Sequence, residues 1–499
     1  MVNQPTDSRV STYSLGGLFA VILGAFSGVA VSLAMPHGPA TAAQALIVML
    51  TGALVGMAAG WAMRSRWAML LAPLAHIIAI ELARLGVAGA TVGAIRLDQA
   101  YGIIALALGR GFHGLVGILP MLIGAGFGRA LALRAAGHAH TIRPFSTGAG
   151  ALVLIALAIA LLLPASTPPI LDADGQPAPG SVAELTTVNV DGAELALMIR
   201  GRSADNPVAL YLSGGPGQSD LPYVRTLFED LTQDFVVVGL DQRGTGKSYA
   251  ALDPTSALTL DQAVSDVIAV TEYLRRRFDE PKIYLLGESW GSTLGVLAVQ
   301  RRPDLYHAWI GSGQMVSQRE TDRRLYADVL ALAERTGDTA LAERMRAHGE
   351  PPYRDLPYAN VVVMGYYDAL STPYTPPQSY IARGSAANLG PWGIFGSEYD
   401  LVEKVNVLRG LLDMFTVLYP QLQGIDFRRD VLRLDVPVYM LDSAAELTAR
   451  RDLALQWYDA LEAPRKQMFT FENAGHSVAF EQFEALHQIM REIVAPAGQ

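Results

Sequence analysis

The sequence predicts a bundle of membrane-spanning helices joined to an α/β domain with a mostly parallel sheet, and three observations predict it. First, apolar runs of nearly bilayer length fill the front of the chain, and the whole chain is 51% hydrophobic with a mean hydropathy of +0.26. Second, charge is concentrated behind those runs: residues 1–165 hold nine Arg, no Lys and three acids (Asp7, Glu81, Asp98), while the chain as a whole has 38 basic and 47 acidic residues. Third, short apolar runs alternate with longer amphipathic ones beyond residue 208, the pattern of strands and helices in a sheet covered on both faces. The expected divisions are residues 1–165 for the membrane bundle, 166–182 for a linker and 183–499 for the α/β domain.

A helix needs about 20 apolar residues to cross a bilayer. Residues 13–35, 42–63 and 67–85 are three such runs, 113–128 with its flanks a fourth, and 147–163 a fifth. Arg110 and His113 interrupt the run that starts at residue 99, so 99–109 reads as a short interfacial or re-entrant piece. Gly52 and Gly56, four residues apart, suit close helix–helix packing. Arg9, Arg64, Arg66, Arg129, Arg134 and Arg143 lie between spans on one side. By the positive-inside rule, five spans put the α/β domain outside the cytoplasm; a sixth, through 99–109, would put it inside. Residues 1–42 also have the composition of a cleavable signal peptide, which would change the count by one. Arg110, His113 and Glu81 read as span-end residues, and the pair His138 and His140 as a solvated loop.

Residues 164–181 are rich in Pro, Gly and Ala without periodicity, as in an extended tether. Asp191-Gly192 between two alternating runs signals a hairpin. Strands are expected at 208–213, 235–240, 282–287, 308–313, 436–441 and 466–471, with helices at 260–278, 290–302 and 481–493.

The chemistry centres on Gly287-Glu-Ser-Trp-Gly291. A G-x-S-x-G turn is informative when a strand precedes it and a helix follows, because the serine then sits on a tight bend at the carboxyl end of the sheet. Both conditions are met, so Ser289 is the expected nucleophile. A serine hydroxyl needs a base to take its proton. Of His307, His348, His476 and His487, His476 stands in a loop after the last expected strand, where this fold places its base. The orienting acid should follow the strand at 436–441. Asp442 and Glu446 are the two candidates, and the spacing favours Glu446 because Asp442 falls where the strand is still ending. Ser213-Gly-Gly-Pro-Gly217 directly follows a strand, so the N–H of Gly215, with that of Trp290, is expected to face the oxyanion.

The segments LSGGPGQS, DQRGTGKS, GESWGS, VPVYML and FENAGHS occur in order over residues 183–494 and resemble the proline iminopeptidase (prolyl aminopeptidase) branch of the α/β-hydrolases. The resemblance implies an α/β-hydrolase fold with a helical cap insertion, here at about 314–434, and a serine exopeptidase that uses no cofactor. By position it makes Ser289 the nucleophile, His476 the base, Gly215 and Trp290 the oxyanion donors and Asp241-Gln-Arg-Gly244 a structural loop beside the site. The chain departs from that family's pattern in three places: Ser213 replaces a His, the acid is Glu446 rather than Asp, and no Trp-x-x-Trp-Glu segment stands in the cap.

Other readings are weaker. Gly244-Thr-Gly-Lys-Ser248 lacks the leading Gly of a phosphate-binding loop, since Asp241 stands there. Glu288 reads as a buried hydrogen-bonding residue. Glu320, Glu398 and Asp400 are candidates for a substrate amine. Absence of Cys excludes disulfides and thiolate chemistry, the acidic balance of the second part argues against nucleic acid, and no metal is expected. A small peptide or amide is the expected substrate and the lipid bilayer the expected partner. An esterase or lipase on membrane-derived esters is the alternative, and a non-catalytic membrane receptor or scaffold the third reading.

Overall fold

The computed structural model describes residues 8–137, 144–353, 360 and 362–494; His138 and His140 lie outside them. The chain forms two compact units, one running to Pro164 and including Asp400–Val405, the other comprising Ala165–Tyr399 and the residues from Asn406 onward.

The first unit is helical: α1 (Ser8–Ala34), α2 (Ala42–Met63), α3 (Ala68–Ala83), α4 (Ala100–Leu106), α5 (Leu119–Ala135) and α6 (Pro144–Leu162). Among the described residues three helices are long and apolar enough to cross a membrane, Leu15–Ala34, Ala42–Met63 and Ala100–Ala135, whereas Ala68–Ala83 and Gly148–Leu162 are shorter. This corrects the expectation of about five spans. Composition marks α3 and α6 as apolar, but α3 has 16 residues and the stretch of α6 from Gly148 to Leu162 is also shorter than the roughly 20 a bilayer requires. A second correction concerns residues 99–109, which are no separate piece. The chain runs as one helix of 36 residues from Ala100 to Ala135, through two wide π-type turns, Ala107–Gly111 and Gly114–Ile118. Arg110 sits in the first of these and does not end the helix, because its guanidinium bonds Glu81 at 3.0 and 2.9 Å.

Small residues set the α2–α5 contact. A methyl added at Gly56 or Gly60 would lie 1.9 or 2.1 Å from the carbonyl oxygens of Met121 and Ala125. Only glycine lets the backbones approach so closely.

The second unit is built on an eight-stranded sheet in the order β1-β2-β4-β3-β5-β6-β7-β8. Strands β1 (Val182–Val190) and β2 (Ala193–Gly201) form the hairpin at Asp191-Gly192, where both residues have positive φ, 51° and 82°, as a type I′ turn requires. β2 pairs antiparallel with β4 (Val236–Asp241), and the pairings that join β4, β3 (Val208–Leu212), β5 (Ile283–Glu288), β6 (Tyr306–Ser312), β7 (Val438–Ser443) and β8 (Lys466–Phe471) are all parallel. Every residue of β3, β4 and β5 is buried, which explains why these strands read as unbroken apolar runs rather than as alternating ones.

Helices α7 (Leu221–Leu227), α8 (Leu260–Phe278), α9 (Trp290–Arg301), α16 (Thr448–Ala460), α17 (Val478–Glu481) and α18 (Phe483–Val494) flank the sheet. The insertion between β6 and β7 carries α10 (Gln318–Thr336), α11 (Thr339–His348), α12 (Tyr367–Leu370), α13 (Gln378–Ala387), α14 (Leu401–Leu418) and α15 (Phe427–Asp430). Helices α10 and α11 are parted at Gly337, whose φ of 71° closes α10.

Candidate active site

Ser289 occupies the bend between β5 and α9 with φ 54° and ψ −119°, a left-handed conformation that costs energy for any residue with a Cβ. Neighbouring glycines make the bend possible. A methyl at Gly291 would lie 2.1 Å from the carbonyl oxygen of Leu212, and one at Gly287 would lie 2.5 Å from that of Gly291. The Ser289 N–H donates to the carbonyl of Ser312 at 3.1 Å, anchoring the bend to the end of β6.

His476 stands in the loop after β8. Its Nδ1 hydrogen-bonds Oε2 of Glu446, while its Nε2 is buried and has no partner among the described residues. Ser289 and His476 line one cavity, but no hydrogen bond joins their side chains. The bond expected from the sequence is therefore open in this structure, as is common for catalytic hydrogen bonds before substrate closes them.

The two candidate acids have separate roles. Asp442 ends in a salt bridge with Arg451 at 2.9 Å and accepts from the Thr470 hydroxyl at 3.0 Å; it does not reach His476. Glu446 does. Its other oxygen accepts from the Leu447 N–H at 2.8 Å and the Tyr367 hydroxyl at 3.4 Å. Burial pushes the Glu446 carboxyl up, but the charge and hydrogen bond of His476 and the charge of Arg450 outweigh it and hold the group down at about 2.

Gly215, with φ 115°, and Trp290, the first residue of α9, border the same cavity. Neither backbone N–H is taken by another backbone group among the described residues, so both can receive an oxyanion. A clamp holds the two loops together. The Trp290 indole N–H donates to Oε1 of Gln242 at 2.8 Å, and the Gln242 amide donates to the carbonyl of Ser213 at 2.9 Å. Gln242 sits in the loop after β4, whose Arg243 forms a bidentate pair with Asp266 at 2.7 and 2.8 Å.

The cavity measures about 400 Å³. Sequence reasoning missed its polar wall: Asp322 from α10, Tyr374, Tyr419, Arg450 from α16, and Glu481. The Asp322 carboxylate accepts from Tyr419 at 2.5 Å and from Gln423 at 2.9 Å, and Glu481 accepts from the Gly475 N–H at 3.0 Å and Tyr374 at 3.1 Å. Burial raises both carboxyls. Arg450 had one available signal, a position one helical turn beyond Glu446; Asp322 had none.

The amine-binding candidates do not converge here. Glu320 pairs with Arg323 and Arg324, each at 2.9 Å, Glu398 pairs with Arg225, and Asp400 accepts from the Glu403 N–H at 2.9 Å; none lines the cavity. Glu288 is buried as expected, and burial next to Asp220 raises its carboxyl well above the ordinary range. Burial likewise lifts Asp220 to about 6 against the hydrogen bonds of Gln218, Ser213 and Tyr211. His487 bonds Asp234 at 2.7 Å, and His307 stacks on Tyr284.

Comparison with known proteins identifies the fold. The family described as alpha/beta hydrolase fold matches residues 207–483. The probable aminopeptidase YbaC of Bacillus subtilis (strain 168) is 30% identical over 302 residues, covering 60% of this chain and 93% of that protein. The probable proline iminopeptidase of Leptolyngbya boryana is 32% identical over 128 residues, which cover 26% of this chain and 37% of that protein, so the chain spans little more than a third of it. Among solved structures, a proline iminopeptidase-related protein from Thermus thermophilus is 21% identical, covering 63% of this chain and 98% of that one with a TM-score of 0.43. The chain belongs to the alpha/beta hydrolase fold family.

Proposed function

We propose that the protein is a membrane-anchored serine aminopeptidase that removes N-terminal residues from small peptides or amides through an acyl-enzyme. The observation that carries the reading is the pairing of Glu446 with His476 Nδ1, on a residue that lines one cavity with Ser289 and whose Nε2 has no hydrogen-bond partner among the described residues. In the proposed reaction His476 Nε2 takes the Ser289 proton as the hydroxyl oxygen attacks the substrate carbonyl. The Gly215 and Trp290 N–H groups receive the oxyanion, and Glu446 stabilises the imidazolium. The proton then passes to the leaving amine, the C–N bond breaks, and water activated by His476 releases the acyl group.

Two further observations favour an amide substrate with an amine over an acyl ester. Glu481 gives the cavity a carboxyl for an ammonium, and the relative matched over 93% of its length bears the name probable aminopeptidase. The apolar helices of the first unit support anchoring in a bilayer.

The test is labelling of the full chain in detergent by a fluorophosphonate probe, followed by turnover of aminoacyl p-nitroanilides against acyl p-nitrophenyl esters. Labelling that vanishes in Ser289→Ala, with turnover of the anilides, is the expected result. Labelling that persists in that variant would rule out Ser289 as nucleophile, and turnover of the esters alone would give the esterase reading.

A further inference from the structure

Arg450 borders the cavity that holds Ser289 and His476, and its side chain is only 11% exposed. Its Nε and Nη1 are buried and have no hydrogen-bond partner among the described residues, while its Nη2 reaches only the Met364 sulfur at 3.9 Å. A guanidinium has five N–H donors in a planar fork, and leaving them unbonded inside a protein is costly.

Glu446 is the nearest carboxylate, yet it does not satisfy this fork. Its Oε2 is engaged by His476 and its Oε1 by the Leu447 N–H, and the closest approach of Arg450 is 3.6 Å, beyond hydrogen-bonding distance. Nor does Asp322 serve, because Tyr419, Gln318 and Gln423 already bond its carboxylate. The Tyr367 ring, with the Arg450 carbon 5.5 Å from its centroid, supplies a face for the cation but no acceptor.

We infer that Arg450 binds a free carboxylate on the leaving-group side of the scissile bond, which makes dipeptides the preferred substrates. The side follows from the chemistry of the neighbouring histidine. Arg450 and the His476 ring lie against the same Glu446 carboxylate, and the leaving amine receives its proton at His476. In a dipeptide the α-carboxylate is attached two bonds from that amine nitrogen, within reach of a guanidinium beside the ring. Each additional residue moves the carboxylate away by up to about 3.6 Å. A planar fork matches a carboxylate bidentately, so discrimination against the uncharged amide should be large. The inference rests on the aminopeptidase reading for its orientation; the carboxylate site itself does not depend on turnover.

The test separates the two. Full-length Ser289→Ala in detergent is titrated calorimetrically with a panel of dipeptides, each as free acid and as C-terminal amide, and the titration is repeated with Arg450→Met and Arg450→Lys added. The free acids are expected to bind at least about tenfold more tightly than the amides. That ratio should fall to about one in the Met variant and to an intermediate value in the Lys variant, whose ammonium keeps the charge without the fork. No preference for the acids, no binding of any free acid, or a preference that survives Arg450→Met would each overturn the carboxylate site. Should the Met variant fail to fold, an unchanged ratio in the Lys variant overturns it as well. A preference that depends on Arg450, in a protein whose unsubstituted form cleaves none of the dipeptides or aminoacyl anilides, upholds the carboxylate site and refutes the aminopeptidase reading.

Discussion

The Trp290 indole donates to Gln242 at 2.8 Å, and through the Gln242 amide that contact reaches the Ser213 carbonyl at 2.9 Å. One buried side chain thus ties the loop after β3 to the start of α9, which carry the two backbone N–H groups proposed to receive an oxyanion. Preorganised donors of this kind stabilise a transition state because they need not reorient as charge develops.

Replacing Gln242 with Leu should uncouple the two loops. The expected outcome is a loss of about 10- to 100-fold in kcat, with KM changed little. Steady-state kinetics on an aminoacyl anilide checks it, and a variant whose KM rises while kcat holds would show that Gln242 serves substrate binding instead.

The two acids near β7 should separate cleanly. Glu446→Gln removes the carboxylate that orients His476, and kcat should fall by about three to four orders of magnitude, as when the acid of a Ser-His-Asp triad becomes an amide. Asp442→Asn instead weakens the Arg451 pair and should lower the thermal midpoint with activity largely retained. Reversed effects of the two variants would move the acid role to Asp442.

Two glycines should respond in opposite directions. A methyl at Gly295 would lie 2.0 Å from the fully buried Trp309 ring, so Gly295→Ala should destabilise by about 1–3 kcal/mol through overpacking. A methyl at Gly384, within α13, would meet nothing within 4 Å, and Gly384→Ala should stabilise by about 0.5–1 kcal/mol by restricting the unfolded chain. Denaturation midpoints of the full chain in detergent decide both.

The pH dependence of stability should carry the mark of Asp220. Its carboxyl, ordinarily at 3.8, is raised to about 6 by burial, so across that window the native state holds the proton more tightly than the unfolded state. This contribution is fully present below pH 3.8 and is lost as pH rises through about 6. Relative to Asp220→Asn, the unsubstituted protein should therefore lose about 3 kcal/mol between pH 3.5 and 7. Parallel curves for the two proteins, from denaturant titrations at several pH values, would contradict this.

The candidate site was legible where its signal was local. Ser289 stands in a strand–turn–helix context that a few adjacent residues specify, and His476 follows the last strand within five residues. Glu446 required knowing where β7 ends, and Asp442 competes for the role in sequence because nothing local reveals its Arg451 partner. Asp322, Tyr374 and Glu481 were not legible, for they reach the cavity from separate segments of the cap and from α17.

In the first unit the sequence by itself determined which stretches are apolar and where the small residues lie, because composition and spacing are properties of the chain. It did not determine how long each helix runs. The tertiary structure decided that Arg110 stays inside a helix of 36 residues, since the Glu81 carboxylate that bonds its guanidinium lies 29 positions earlier. In the second unit the sequence determined the order of strands and helices and the bend at Ser289. Only the fold decided which acid meets His476 and that the Arg450 Nε and Nη1 have no hydrogen-bond partner among the described residues, because hydrogen-bond partners are set by proximity in space.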